Sequence, residues 1–198
     1  IAPCATAPGE IVTNGWSPSK RNNPFANSGI VVAVEAEDLK PYEQFGALAG
    51  LKLQEAIERK TFIAGKNDVQ NNFGQIAPAQ RLIDFIYNQI SASLPDCSYK
   101  PGVVSAPIQE ILPPSIVSRL QQGFRDFGNK MRGYLTRDAI IVAVESRTSS
   151  PVKIPRDRET LQHPEIKGLY PCGEGAGYAG GIVSAAIDGQ KCAEQIGE

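Results

Sequence analysis

Five glycines fall within nine residues near the C-terminal end: Gly173, Gly175, Gly177, Gly180 and Gly181. Before them, Leu169-Tyr170-Pro171-Cys172 reads as the end of a buried strand. After them Ile182, Ala186, Gly189, Ala193 and Ile196 recur at roughly helical spacing, so one predicted face is apolar and built mostly of small residues. Small residues let a backbone or a flat ligand come close. Strand, glycine loop and helix in that order gather unpaired backbone N–H groups and the positive end of a helix, which suits a phosphate or another electron-rich group. Gly175–Gly180 spells G-x-G-x-x-G, but the dinucleotide fingerprint needs a following strand with an acidic residue about 20 positions on. The sequence reaches Glu198 before such a strand can form, so the loop reads as half a unit whose neighbours come from elsewhere. A glycine-rich turn that only packs a helix on a sheet is the plainer alternative, and the local pattern leaves both open.

A second group with chemical potential is Glu145-Ser146-Arg147-Thr148-Ser149-Ser150-Pro151-Val152-Lys153-Ile154-Pro155-Arg156. Arginine gives planar bidentate donors, and the neighbouring hydroxyls give adaptable ones. Such a run forms either an anion pocket or a solvated loop whose arginine pairs with Glu145. A third stretch, residues 1–28, is rich in Pro, Gly, Ser and Asn, with Trp16 near Lys20 and Arg21. By itself it reads as a surface loop pinned by an aromatic ring. His163 is the one histidine, and the four cysteines (Cys4, Cys97, Cys172, Cys192) contain no C-x-x-C, so no metal site is expected. The lack of G-x-S-x-G makes a Ser-His-Asp hydrolase a poor fit.

The stretch GLYPCGEGAGYAGGI resembles the C-terminal segment of a family of bacterial FAD-dependent dehydrogenases, large flavoproteins of mostly unassigned substrate. The resemblance continues through E-x-R-T-S-S-P-V-x-I-P-R, Ala77-Pro78-Ala79-Gln80-Arg81 with Asp84-Phe85, Ser98-Tyr99-Lys100-Pro101-Gly102, and the N-terminal Asn14, Gly15, Ser17, Arg21, Ala26, Asn27 and Ser28. It therefore covers essentially the whole chain. It implies that Gly173, Glu174, Gly175, Gly177, Gly180, Gly181 and Ile182 lie along FAD, with Glu174 near the ribityl or phosphate region and Gly180–Ile182 near the flavin. It also implies that Arg147, Thr148, Ser149 and Ser150 line the cofactor and substrate cleft. Asn14, Ser17, Arg21, Asn27 and Ser28 are then substrate-side candidates, and Arg21, Arg147 and Glu145 candidates for placing a small-molecule substrate. No catalytic acid or base is named. FAD would carry the redox chemistry, with NAD(P)H a possible electron donor. On this view residues 1–165 form the substrate-side domain of a flavoprotein, and 166–198 the closing strand, glycine loop and helix of its FAD-binding domain. The main partner would be the N-terminal FAD-binding domain of the same polypeptide, and the chain reads as a segment of something longer. Alternatives are a non-enzymatic nucleotide- or phosphate-binding module using Gly173–Gly181, or a purely structural domain.

The elements expected to position these groups make an α+β fold: a mixed, largely antiparallel sheet with packed helices, plus the terminal strand, loop and helix. Gly29–Glu35 (GIVVAVE) and Ile140–Glu145 (IIVAVE) are short β-branched runs, as doubly covered strands should be, and are expected in one sheet. Ile11-Val12-Thr13 reads as a strand and Asn14-Gly15 as a tight turn. Three helices are predicted. The first begins near Pro41, with Phe45, Ala49, Leu53 and Ala56 inward. The second begins near Pro78, with Leu82, Ile83, Ile86 and Ile90 apolar. The third follows Pro113-Pro114-Ser115, with Ile116, Leu120, Phe124, Phe127 and Met131 in an amphipathic stripe.

Composition narrows the classes further. The 198 residues suffice for one domain, or one and a half, with a real core. Twenty basic against twenty-one acidic side chains leave a net charge of -1, which steers toward neither nucleic acid nor an anionic membrane. No apolar run approaches the ~20 residues that span a bilayer. Reduced thiols in the cytoplasm are the expectation for these scattered cysteines.

Overall fold

The computed structural model describes residues 1–4 and 6–196. Its central strand is β3, Ala77–Arg81, flanked by β4, Val103–Ser105, and β5, Ile140–Val142. β4 runs parallel to β3 with Ala77 opposite Val103, and β5 runs antiparallel with Ala79 opposite Val142. A separate antiparallel ribbon pairs β1, Ala2–Pro3, with β2, Thr13–Asn14. The fold is α+β with mixed strands, as the sequence predicts.

Pro78 stands inside β3, not at the start of a helix. A proline is normally excluded from a central strand because it has no N–H to give. Here Pro78 lies one residue past the last β3–β5 pair, and its carbonyl still accepts the Ala143 N–H at 3.0 Å. The helix begins only at Leu82: α3, Leu82–Ile86, buries Leu82, Phe85 and Ile86. Ile90, expected on the same face, is 70% exposed because the helix has already ended.

Helix α1, Ala36–Leu39, opens on a capping box between Glu35 and Asp38. A 3-10 stretch, Lys40–Leu48, is kinked at Gly46 and leads into α2, Ala49–Ala64. The helix expected from Pro41 is thus broken at Gly46, and Phe45, on the near side of the break, is exposed. Beyond the break Ala49, Leu53, Ile57 and Phe62 are buried. After the short α4, Ile108–Ile111, comes α5, Pro114–Lys130, with proline in its first turn. Ile116, Val117 and Phe124 are buried and Leu120 and Phe127 partly so, which matches the predicted stripe up to its capping residue, exposed Met131.

Two compact units are present: Ile1–Pro41 with Glu55–Ser146, and Tyr42–Gln54 with Arg147–Glu198. The first holds two apolar clusters. One joins Leu82, Phe85, Ile86, Ile108, Val117, Phe124 and Ala143, with Phe85 and Phe124 edge to face at 6.0 Å. The other joins Ile11, Phe62, Ala77 and Tyr99. Gln80 is fully buried and accepts the Ile108 N–H at 2.9 Å, so the central strand itself satisfies the first amide of α4. Asp38 is also buried in this unit. Burial pushes its carboxyl up, but the Ser115 hydroxyl, the Glu35 amide and the Arg119 guanidinium outweigh that and hold it below the ordinary carboxylate value.

Several predicted strands are absent or shortened, the Ile140–Glu145 run to Ile140–Val142 among them. Gly29–Glu35 has no ladder partner among the described residues, although Gly29 lies against the Glu145 carboxylate and Ile30 packs on the first cluster. It neighbours the β5 segment without joining its sheet. Of Ile11–Thr13 only Thr13 pairs, and Ile11 and Val12 are buried by packing. The tight turn falls at Pro18–Arg21, where Arg21 N–H donates to Pro18 at 2.9 Å, and not at Asn14-Gly15.

In the second unit the final helix α6 spans Ile182–Ile196. Leu169–Cys172 carries no strand partner among the described residues.

Candidate functional site

The glycine loop folds on short-range constraints. Gly173 and Gly177 take φ of +72° and +83°, values that side chains disfavour. Gly177 N–H donates to Glu174 at 2.9 Å and Tyr178 N–H to Gly173 at 3.0 Å, closing the turn ahead of α6. Pro151–Ile154 lies along this turn. A Cβ on Gly177 would stand 2.8 Å from the Val152 carbonyl, Ile154 N–H donates to Ala176 at 3.1 Å, and the Tyr178 hydroxyl donates to Ile154 at 2.8 Å. Ser150 Oγ lies 2.8 Å from the Val152 carbonyl and 3.2 Å from the Gly175 carbonyl. The two motifs are therefore neighbours, joined through Ser150 and the four residues after it. Arg147, Thr148, Ser149 and Glu174 are exposed.

An ion pair locks the loop to α6. Arg156 forks onto Asp188 at 3.0 Å through both terminal nitrogens. One of those nitrogens also reaches the Pro171 carbonyl at 2.9 Å and Cys192 Sγ at 3.3 Å. Asp188 in turn accepts the Gly173 N–H at 2.8 Å. The Tyr178 ring covers the guanidinium at 3.7 Å, a cation–π contact. The Arg156 hydrogen bonds hold the Asp188 carboxyl below its ordinary value, and Asp188 raises Arg156. Burial pushes the Cys192 thiol up. A cleft of about 380 Å³ opens beside the pair, lined by Arg156, Arg158, Lys191, Glu159, Asp188 and Glu194, so its charges balance and it does not select an anion.

Asp188 is the residue that sequence reasoning missed. Its signal was present: an acidic side chain on a face shared with Ala185 and Cys192 must find a cation. The apolar, small-residue face of α6 is the open one. Ile182 is 92% and Ile196 63% exposed, and Ala186 and Ala193 are exposed as well. The helix is held by its Asp188–Cys192 side because that side carries the charge that Arg156 neutralises.

The loop glycines divide into two kinds. Gly173 and Gly177 are required by backbone conformation or close approach. Gly175 and Gly180 have neither reason, since a Cβ on either would meet nothing within 4 Å among the described residues, and on Gly181 only its own turn's Ser184 hydroxyl at 3.7 Å. Space is thus kept open on the loop beside the exposed first turn of α6. A flat, electron-rich group fits the chemistry there: backbone amides at a helix start, small residues, and the apolar Ile182 and Val183.

In the first unit Asn27 donates to the Trp16 carbonyl at 3.2 Å and stands against Gly15, so it braces the loop that carries Asn14 and Ser17. Asn14, Ser17, Arg21 and Ser28 are exposed. Among the described residues no cluster of His, Cys, Asp or Glu could hold a metal ion, and no helix is long and apolar enough to cross a membrane.

The sequence is similar to an uncharacterized protein of Clostridium beijerinckii (strain ATCC 51743 / NCIMB 8052), 38% identical over 99% of this chain and 35% of the relative. The chain thus spans about a third of the length of that relative. The profile of the family described as "FAD-dependent protein, C-terminal domain-like" matches residues 1–148, which take in the whole of the first unit, and the chain belongs to that family.

Proposed function

We propose that this chain contributes the substrate-side domain and the flavin-contacting loop of an FAD-dependent oxidoreductase acting on a small molecule. The observation that carries the reading is the open space at Gly175, Gly180 and Gly181, where nothing within the described chain demands a glycine. Glycines beside a helix start let a ligand come within close reach of the backbone amides. When bound, FAD supplies the electron-accepting ring, with NAD(P)H a candidate donor.

The chain's own residues hold and orient. Amides at the Gly180–Ile182 helix start donate to an electron-rich edge, and the positive end of α6 favours negative charge there. Gly173 acts differently, because its N–H already belongs to Asp188. Its part is to fix the turn that aims the later amides. Thr148 and Ser149 are exposed and offer hydroxyl donors on the connection leading to Ser150, which touches the loop. The open apolar face of α6 suits burial against an FAD-binding domain elsewhere in the polypeptide.

The test is the visible spectrum of the complete gene product, with Gly180→Val beside it. Flavin absorbance is expected, with FAD affinity in the variant lowered about tenfold or more. A colourless product that takes up no added FAD overturns the reading, and phosphate or nucleotide binding at the loop is then the reading to test.

A further inference from the structure

The Gly29–Glu35 run has the sequence of a doubly covered strand and the surroundings of an uncovered one. It holds neither charge nor proline before Glu35. Its burial alternates as in a strand: Ile30 and Val32 are half-buried, and Val31 and Ala33 are exposed, Val31 to 55%. Val34 is 52% exposed. A strand with one wet face normally puts polar residues on that face. Here the outward residues are valine and alanine. Natural edges are also protected by lysines, prolines, bulges or covering loops, because a bare apolar edge recruits other chains. Ile30–Val34 has none of its own and no ladder partner among the described residues.

Both ends are already fixed. Gly29 meets the Glu145 carboxylate, Ile30 packs on the main core cluster, and the Glu35 amide donates to Asp38 at 2.8 Å. The segment is therefore held at both ends and open between them, as a preformed acceptor for strand addition would be.

We propose that Ile30–Val34 is a docking edge for the rest of the polypeptide, which adds an apolar β-strand to it and covers Val31 and Ala33. The similar protein from Clostridium beijerinckii is nearly three times as long as the segment it shares with this chain, so a tethered occupant is available. A tether raises effective concentration to about the millimolar range, which favours that occupant over a second copy. The inference rests on the reading that these residues belong to a longer polypeptide, and not on the flavin.

Hydrogen exchange on the complete gene product tests it, together with a photo-crosslinking residue at exposed position 31. The expected result has two parts. Alternate amides within Val31–Val34, those that face the added strand, exchange about 100-fold or more slowly than those of the exposed Gln70–Asn72 loop, and the cross-link maps to the same polypeptide outside these 198 residues. Exchange as fast as that loop overturns the proposal. So does a cross-link to a second copy, a cross-link to Ile140–Val142, or protection without the outside cross-link. The visible spectrum of the same sample reports on the flavin independently, so either reading can fail while the other stands.

Discussion

The Asp188 carboxylate accepts the Gly173 amide at 2.8 Å across fifteen residues of sequence, and the same carboxylate holds Arg156. One ion pair thereby grips the chain on both sides of Cys172, since Arg156 takes the Pro171 carbonyl while Asp188 takes the next N–H but one. The side chains of Arg156 and Asp188 are 10% and 15% exposed, so the pair is largely desolvated. Removing one partner strands the other. Asp188→Ala is expected to destabilise the second unit by about 3 kcal/mol, and Asp188→Asn, which keeps an acceptor for Gly173, by less. Hydrogen exchange at Gly173 and Tyr178 reads this out, and unchanged protection in Asp188→Ala would refute it.

The same pair sets a pH response. The Arg156 hydrogen bond, joined by the Gly173 amide, lowers the folded Asp188 pKa from its ordinary 3.8. A depressed folded pKa means the unfolded state binds the proton more readily. Stability from Asp188 is therefore complete above the unfolded value and is lost as pH falls through the folded one. Asp38 behaves with the same sign in the first unit. Urea midpoints followed downward from pH 6 should fall below about pH 4 in the parent, and Asp188→Asn should show a smaller fall.

Two loop glycines should respond oppositely to alanine. Gly177 has φ +83° and its Cβ would strike the Val152 carbonyl, so Gly177→Ala combines backbone strain with a clash and should cost about 1–3 kcal/mol. Gly180→Ala meets nothing within 4 Å among the described residues and should change stability by less than about 0.5 kcal/mol. Thermal unfolding of both variants separates them. Equal losses would mean that Gly180 has a packing role the geometry does not reveal.

The 198-residue chain by itself should bind FAD weakly. The ADP half of such a cofactor is held by a strand, glycine turn, helix and second strand bearing an acidic residue. Among the described residues no such unit surrounds a G-x-G-x-x-G, since the Gly175–Gly180 match leads only into α6. Each missing charge-assisted hydrogen bond is worth roughly 1.5–3 kcal/mol, and about 1.4 kcal/mol is tenfold in affinity. Fluorescence titration with FAD should therefore give no saturation in the micromolar range. Stoichiometric tight binding would show that the described residues complete a cofactor site.

Local signals were read directly from the residues. The three- and four-residue spacing from Ile116 to Phe127 specified α5, because a repeating apolar stripe is stable only as a helix laid on a core. The glycine turn at Gly173–Gly177 was legible for a similar reason, since its bonds join residues three to five apart. Periodicity states which side chains can be buried, but not whether a cover exists. Val31, expected in a doubly covered strand, is therefore exposed. Pro78 was read by its local habit of opening helices, and only the finite length of β5 made room for it in a strand. Arg156 and Asp188 lie thirty-two residues apart, and no spacing rule links them. Tertiary structure chose that partnership, because a desolvated charge must meet its counter-charge wherever the fold brings one within reach.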